Sequence, residues 1–321
     1  MKDISILVPR GAAALGCIEG AFIGFNRANE VLQKMGKPPL FKVQLVGITR
    51  EPQVYDKLFT VTPDYSISEV QKTDLIVIPA VNGKMDEVIE VNKEFFPWIV
   101  AQHQKGTEVA SLCVGTFLLA ATGLLEGKKC STHWMGVDDF RKMFPDIDLV
   151  SDKIITDEEG VYSSGGANSF WNLILYLIEK YAGRDVAIIC AKIYEIEFDR
   201  ASQSPFIIFS SQKDHEDDGV KKAQVFIENN FYKKITVEQL AAMSAMGRRT
   251  FERRFKKATS NTVIEYMQRV KIEAAKKSLE SSKKNVNEVM YDVGYSDTKA
   301  FRTTFKKITG LSPLDYRNKY N

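Results

Sequence analysis

One pattern is written twice in the last third of this 321-residue chain. The first copy, ITVEQLAAMSAMGRRTFERRFKKATSNTVIEY, runs from Ile235 to Tyr266, and the second, NVNEVMYDVGYSDTKAFRTTFKKITGLSPLDY, from Asn285 to Tyr316. Phe251 matches Phe301, Phe255 matches Phe305, Lys256 and Lys257 match Lys306 and Lys307, Thr259 matches Thr309 and Tyr266 matches Tyr316, all 50 residues apart. Upstream of the turn the offset is 49, Val237 with Val286, so the second turn is one residue longer. Register kept on both sides of a turn, with slack only inside it, marks a repeated supersecondary unit.

Each copy reads as helix, tight turn, helix. In the first, Val237, Leu240, Ala241 and Met243 or Ser244 follow helical spacing. Ala245, Met246 and Gly247 form the turn, and Gly247 stands where the next helix can start. Phe251 and Phe255 are four apart and share a helix face. At about 100° per residue, Arg249, Glu252, Arg253 and Lys256 fall on the opposite face. In the second copy Ser296 or Asp297 caps a helix that turns Phe301 and Phe305 inward and Thr298, Lys299, Arg302, Thr303 and Lys306 outward. A major groove admits one α-helix, whose arginines, amides and acids read bases in hydrogen-bonded pairs. Flanking lysines such as Lys257 and Lys307 neutralise phosphates. A solvated face that binds nothing is the alternative for one copy, but two copies in register argue against it. Between the copies, Val263 to Glu280 is helical in pattern through Val263, Ile264, Met267, Val270, Ala274, Ala275 and Leu279. Eighteen residues at about 1.5 Å each give a rod of roughly 27 Å, comparable with the ~34 Å between successive major grooves.

The Gly-Tyr-Ser-Asp turn at 294–297, the repeated F-x-x-x-F-K-K and the G-L-S-P-x-x-Y-R ending at 310–317 carry a resemblance. Residues 221–321 are similar over their whole length to the DNA-binding domain of AraC/XylS-family transcription regulators. That resemblance places the base-reading positions at Arg249, Glu252 and Arg253 in the first unit and at Thr298, Lys299, Arg302 and Thr303 in the second.

Charge divides the chain the same way. Residues 221–321 hold 22 Lys+Arg against 10 Asp+Glu, whereas the preceding 220 residues hold 22 against 31. A basic tail behind an acidic front fits a nucleic-acid reader joined to a domain that avoids nucleic acid. Cys17, Cys113, Cys130 and Cys190 are scattered, as are the three histidines, so neither a metal site nor a disulfide framework is expected. No cofactor is expected either. Ile4–Val8 is too short for a signal segment and the stretch at Leu173–Ile178 is too short to span a membrane. The expected compartment is the cytoplasm.

In the front part, apolar strands alternate with helices. Strands are predicted at Ile4–Val8, Phe41–Ile48, Leu75–Pro79, Glu108–Leu112, Lys129–Thr132 and Val161–Ser163, with a hairpin within 50–70. Helical spacing runs through Phe22, Phe25, Ala28, Val31 and Leu32, and further helices are predicted near Glu94–Gln104, Val114–Thr122, Gly136–Met143, Asn168–Tyr181 and Asp185–Phe198. This alternation predicts an α/β, flavodoxin-like, doubly wound parallel sheet covered on both faces, followed by an all-α double helix-turn-helix domain. The expected divisions are 1–198 for the sheet domain, 199–220 for a linker and 221–321 for the DNA reader.

Cys113 sits where strand Glu108–Leu112 turns straight into a helix, and Gly115 permits the sharp turn. Amides at a helix start are expected to lower a thiol's pKa. The stretch ASLCVGTFLLAATGLL resembles the nucleophile elbow of the PfpI/ThiJ-like superfamily, relatives of class-I glutamine amidotransferases. ATGLLEGKKCSTHW (121–134) and YSSGG…WNLILYLIEKYAG (162–183) extend the likeness to the sheet domains of GlxA-like regulators, over about residues 1–183. Hydrolytic relatives place a histidine after the cysteine, where this chain has Val114. They take an acid from the first helix, where this chain has Cys17, with Glu19 two residues on. Lacking base and acid, the thiol is poorly equipped for acyl chemistry. A pocket for an unknown small-molecule effector is expected at the strand ends around Cys113, Cys17, Glu19, Ala80, Val81, His133, Trp134 and Gly165. His103 and His215 read as surface residues, Trp98 and Trp171 as core. The chain is therefore expected to be a sequence-specific DNA-binding regulator and not an enzyme, with double-stranded DNA as partner. RNA polymerase is a further candidate partner, and the resemblance implies a homodimer. The rival readings are a cysteine-dependent hydrolase or glyoxalase-like enzyme, and a redox sensor acting through Cys113.

Overall fold

The structure, a computed structural model, describes residues 1–197, 202–209, 212–213 and 215–321. It divides into two compact units, Met1–Gln203 and Ser204–Asn321. The expected boundary at residue 198, and residues 199–201, 210, 211 and 214 of the expected linker, lie outside the described residues.

The first unit is built on a seven-stranded sheet. In chain order its strands are β1 (Lys2–Leu7), β2 (Phe41–Gly47), β3 (Tyr65–Ser66), β4 (Leu75–Ile78), β5 (Glu108–Ser111), β6 (Ile155–Glu158) and β7 (Val161–Ser164). They lie side by side as β6-β7-β5-β4-β1-β2-β3. Six run parallel, and β6 at the edge is antiparallel to β7, a departure from the all-parallel reading. An edge strand added by a short turn can only return antiparallel. Strand residues alternate between two cores: Ile4, Ile6, Leu75 and Val77 face one, Leu7, Ile76 and Ile78 the other. That is why these strands are apolar throughout. On the first face lies the helix α1 (Leu15–Lys34), and the second carries α2 (Met85–Asn92), α3 (Phe95–Gln104), α4 (Thr116–Ala121) and α5 (Val137–Met143). Then α6 (Phe170–Ala182) and α7 (Arg184–Ile193) complete the first face.

Several local readings are corrected. Phe22 is exposed on α1 and not part of the core stripe. α2 went unread because its charged sequence buries little more than Val88 and Asn92. The short strand at Lys129–Cys130 pairs with Asp148–Leu149 outside the main sheet. α7 ends at Ile193, short of the expected Phe198.

The second unit is helical: α8 (Asp218–Asn230), α9 (Val237–Met243), α10 (Arg248–Thr259), α11 (Val263–Ser281), α12 (Val286–Asp292), α13 (Thr298–Thr309) and α14 (Pro313–Tyr320). Residues 204–209, read from the sequence as linker, belong to this unit: Phe209 packs edge-on against Tyr266 at 5.2 Å and the Tyr320 hydroxyl donates to Pro205 O at 3.3 Å. α11 joins two separate cores. Its first turns, with Val263 and Tyr266, belong to a core with Leu240, Phe251 and Phe255, and its last, with Ile272, Ala275 and Leu279, to one with Val289, Phe301 and Phe305. Tyr266 and Ile272 are buried where periodicity had offered Ile264, which is exposed. Lys276 is also buried, its ammonium paired with Glu273 at 2.8 Å and donating to Ile207 O at 2.6 Å.

Candidate nucleic-acid interface and elbow cysteine

The sequence repeat is repeated in three dimensions. Thr236 caps α9 in a reciprocal capping box with Gln239, and Asn285 caps α12 in the same way with Glu288. The turns then differ by the extra residue: 244–247 in the first unit and 293–297 in the second. Each turn needs a left-handed residue, supplied by Ala245 at φ 51° and by Gly294 at φ 75°. Gly247 is the cap position of α10, and Asp297 caps α13, its carboxylate accepting from Ala300 N at 2.6 Å. Behind each second helix stands an aromatic ladder. Phe251, Phe255 and Tyr266 have centroids 5.6 and 5.3 Å apart, and Phe301, Phe305 and Tyr316 repeat this at 5.7 and 5.5 Å. Thr259 and Thr309 each return a 2.8 Å hydrogen bond to the phenylalanine carbonyl four residues earlier, closing the helix at the same point.

Because these rings fix one face of α10 and α13 inward, the opposite face is turned out. Arg249, Arg253, Lys256, Lys257, Thr298, Lys299, Arg302, Thr303, Lys306 and Lys307 are all exposed, and Glu252 is half-buried. Not every charge on α10 is available. Arg254 grips Asp217, its Nε and Nη2 donating at 2.7 and 2.9 Å, while Asp217 also caps α8 through Val220 N. Arg248 pairs with Glu238 at 2.5 Å and with Glu252 at 3.3 Å. Sequence reasoning missed both arrangements. The Arg254–Asp217 pair joins residues 37 apart, beyond any helical spacing, whereas the i,i+4 spacing of Arg248 and Glu252 was legible. His215 is not simply a surface residue: its Nε2 lies 3.0 Å from Gln224 Oε1.

In the first unit Cys113 has φ 55°, a left-handed conformation at the end of β5, where a three-residue 3-10 turn leads into α4. The backbone is held there from several sides. Cys113 N donates to Ser164 Oγ at 3.2 Å, and the Thr132 and Thr116 hydroxyls lie 3.2 and 3.0 Å from its carbonyl. A Cβ on Gly115 would come within 2.5 Å of Pro79 O, so only glycine fits. Cys17 and Ala80 belong to the same neighbourhood: Cys17 adds to the pKa shift of Cys113, and Ala14 at the start of α1 donates to Ala80 O at 2.9 Å. Val81 is buried beside them, paired with Ala13.

The lowering expected of amides at a helix start is outweighed by burial, in keeping with a thiol read as poorly equipped for acyl chemistry. Burial pushes Cys113 up to about 12, Cys17 pushes the same way, and only the Val114 amide opposes them. Six percent exposure outweighs the dipole of so short a turn. Cys17, where the acid was sought, is raised to about 11 by burial. Glu19 is exposed on α1, two residues from the buried Cys17. His133 is half-buried, which lowers its pKa, and its Nδ1 accepts from Met135 N at 3.1 Å while its ring stacks on Trp134. Gly165 is crowded by Gln203 Nε2, Ser131 Oγ and Thr132 O, each under 3.0 Å from where a Cβ would stand. Gln203, unremarked in the sequence, is fully buried there and donates to Thr132 O and Ser151 O at 2.9 Å. Among the described residues no three His, Cys, Asp or Glu side chains gather as metal ligands, and no helix is long and apolar enough to cross a membrane.

Comparison with known proteins agrees with both halves. The helix-turn-helix domain family matches residues 240–319, and the DJ-1/PfpI family matches residues 25–180. The HTH-type transcriptional regulator GbdR of Pseudomonas aeruginosa is 23% identical over 80% of this chain and 69% of its own length. CdhR, an HTH-type transcriptional regulator of the same organism, is 21% identical over 92% of this chain and 88% of its own. Among solved structures, a ThiJ/PfpI family protein from Pseudomonas syringae covers 76% of this chain and 91% of its own at 15% identity, with a TM-score of 0.52, a likeness of fold.

Proposed function

We propose that this chain, an AraC-type transcription regulator that joins a DJ-1/PfpI domain to a helix-turn-helix domain, reads two successive major grooves of one DNA duplex with α10 and α13. The observation that carries this reading is the pair of outward faces: each is fixed by its aromatic ladder, and Arg249, Arg253, Lys299 and Arg302 stand on them exposed, with no ion-pair partner among the described residues. α11, 19 residues and thus about 28 Å long, joins the two readers in one continuous helix. Arginines on such a face pair with guanine edges and Lys256, Lys257, Lys306 and Lys307 with phosphates, while Glu252 accepts from a cytosine amine once Arg248 releases it.

The front domain is read as the sensor, with a small-molecule effector held at the strand ends near Cys113, Cys17, Ala80, Val81, Thr132 and Trp134. A thiol raised to about 12 with no base acting on it supports binding over hydrolysis. Pairing of front domains into a homodimer, contact with RNA polymerase and a place in the cytoplasm belong to the same reading. Binding measured on a selected operator and on random duplex tests it. Arg253→Ala is expected to weaken operator binding by about 1–3 kcal/mol and relax specificity at one base pair. Lys257→Ala is expected to weaken both duplexes alike and flatten the salt dependence. Equal loss on both duplexes for Arg253→Ala would overturn base reading by that residue.

A further inference from the structure

Between its two helix-turn-helix elements the second unit has a hollow of about 440 Å³. Its walls come from the end of α8 (Phe231), the segment leading into α9 (Lys233, Lys234), the first half of α11 (Lys271, among apolar neighbours) and the turn leading into α13 (Gly294, Tyr295). Three lysines line it and no lining residue is acidic. The basic charge of the unit does not by itself produce this. A neighbouring hollow of about 410 Å³, against α8 and α11, presents Glu228 and Glu273 beside the single lysine Lys277.

Lys271 is the unusual member. It is half-buried, its ammonium donates to Gly294 O at 3.0 Å, and it lies 5.3 Å from the centroid of the Tyr295 ring. Both partners are neutral. Burial lowers its pKa, and no carboxylate acts to restore it. Gly294 lets this approach happen: its φ is 75°, and a Cβ there would stand 2.4 Å from Tyr232 O and 2.9 Å from Lys271 Nζ. A partly desolvated cation held only by neutral groups is stabilised when an anion enters. Lys234 is exposed at the rim, and Lys233 reaches Asn230 Oδ1 at 3.0 Å.

We infer that this hollow seats a phosphodiester of the duplex segment lying between the two half-sites. The inference rests on the reading of α10 and α13 as DNA readers. Its occupant follows from continuity and charge. The walls run directly into α9 and α13, and the DNA backbone must pass between the two helix-turn-helix elements on its way from one major groove to the next. Lys271 and Lys234 are then positioning residues that fix the spacing of the half-sites and read no base.

The test uses the full chain, duplexes carrying the selected operator, and several salt concentrations. Lys271→Gln should lower affinity several-fold on every sequence alike and make the slope of log K against log salt shallower by about 0.9, the value for one phosphate. Lys271→Arg, which keeps the charge, should keep the slope. Methylphosphonate linkages placed between the half-sites should weaken wild type by the same factor and leave Lys271→Gln with no further loss. An unchanged slope in Lys271→Gln overturns the inference, as does a full additional loss on the neutralised duplex, which would mean that the lysine serves some other anion. Should Lys271→Gln melt early, Lys234→Gln, on the exposed rim, goes through the same measurements with the same two outcomes decisive. Absence of any site preference in wild type would instead overturn the functional reading beneath it.

Discussion

Replacing Phe255 with alanine should silence one DNA reader and spare the other. The ring is fully buried and packs on Phe251 at 5.6 Å and on Tyr266 at 5.3 Å, the second contact edge-on. An aromatic side chain removes roughly 150–250 Å² from water, which at about 25 cal/mol per Å² is about 4–6 kcal/mol. Compactness of the unfolded chain reduces that figure, and truncations of this kind cost about 3–5 kcal/mol in practice. A domain of this size is stable by only about 5–15 kcal/mol, so the loss is large. It should also be local. The buried residues around Phe255 and those around Phe305 form two clusters with no member in common, with α11 contributing side chains to both. Thermal melting should show a fall of more than about ten degrees in the first cooperative transition. Footprinting on a duplex with both half-sites should show protection lost where α10 reads and kept where α13 reads. Phe305→Ala should give the mirror image. Equal loss of protection over both half-sites, while half the helical signal persists, would refute the independence of the two cores.

Three further outcomes follow from particular residues. Cys113, raised to about 12, should react with iodoacetamide at neutral pH orders of magnitude more slowly than a free cysteine and at the ordinary rate once unfolded; a fast native reaction, or ready oxidation by peroxide, would revive the redox reading. Asp217 has its pKa lowered through Arg254 and the Val220 amide although burial opposes them, so its folded value lies below its unfolded one. The stability it adds is present above about pH 4 and lost as pH falls through the lower folded value. Asp217→Ala should therefore cost about 1 kcal/mol at pH 7, a gap that chemical denaturation should show closing in acid. Gly115→Ala should destabilise the first unit by about 1–3 kcal/mol, read by the same denaturation, since its Cβ would meet the fixed backbone oxygens of Ile78 and Pro79.

Local order was largely legible in the sequence. The matching phenylalanines announced two units, and the difference of one residue between offsets of 50 and 49 is the extra residue of the second turn. The helical period records which side of α10 and α13 is buried and an unbroken apolar run marks a strand covered on both faces, so Phe251, Phe301, Ile4 and Val77 could be assigned to the core before any coordinates. Residues whose environment comes from distant parts of the chain could not. Arg254 had the same appearance as Arg253 until Asp217, 37 residues away, claimed it. Lys276, a charge that the pattern around it does not mark as buried, is enclosed by Glu273 and Ile207.

The elbow shows the same division most sharply. Cys113 between a strand and a helix, with Gly115 two residues on, told the backbone where to turn, because sterics at φ 55° and at a missing Cβ are local matters. Whether the thiol would be reactive depended on how much water reaches it and on which groups other elements bring alongside: Ser164 from β7, Thr132 from the loop after Lys129–Cys130, and Cys17 from α1. Solvation and electrostatics sum over everything within several ångströms, whatever its distance along the chain. Sequence alone therefore determined the two-part architecture and the two outward basic faces, while tertiary packing decided which of those charges are paired and how deeply the Cys113 thiol is buried.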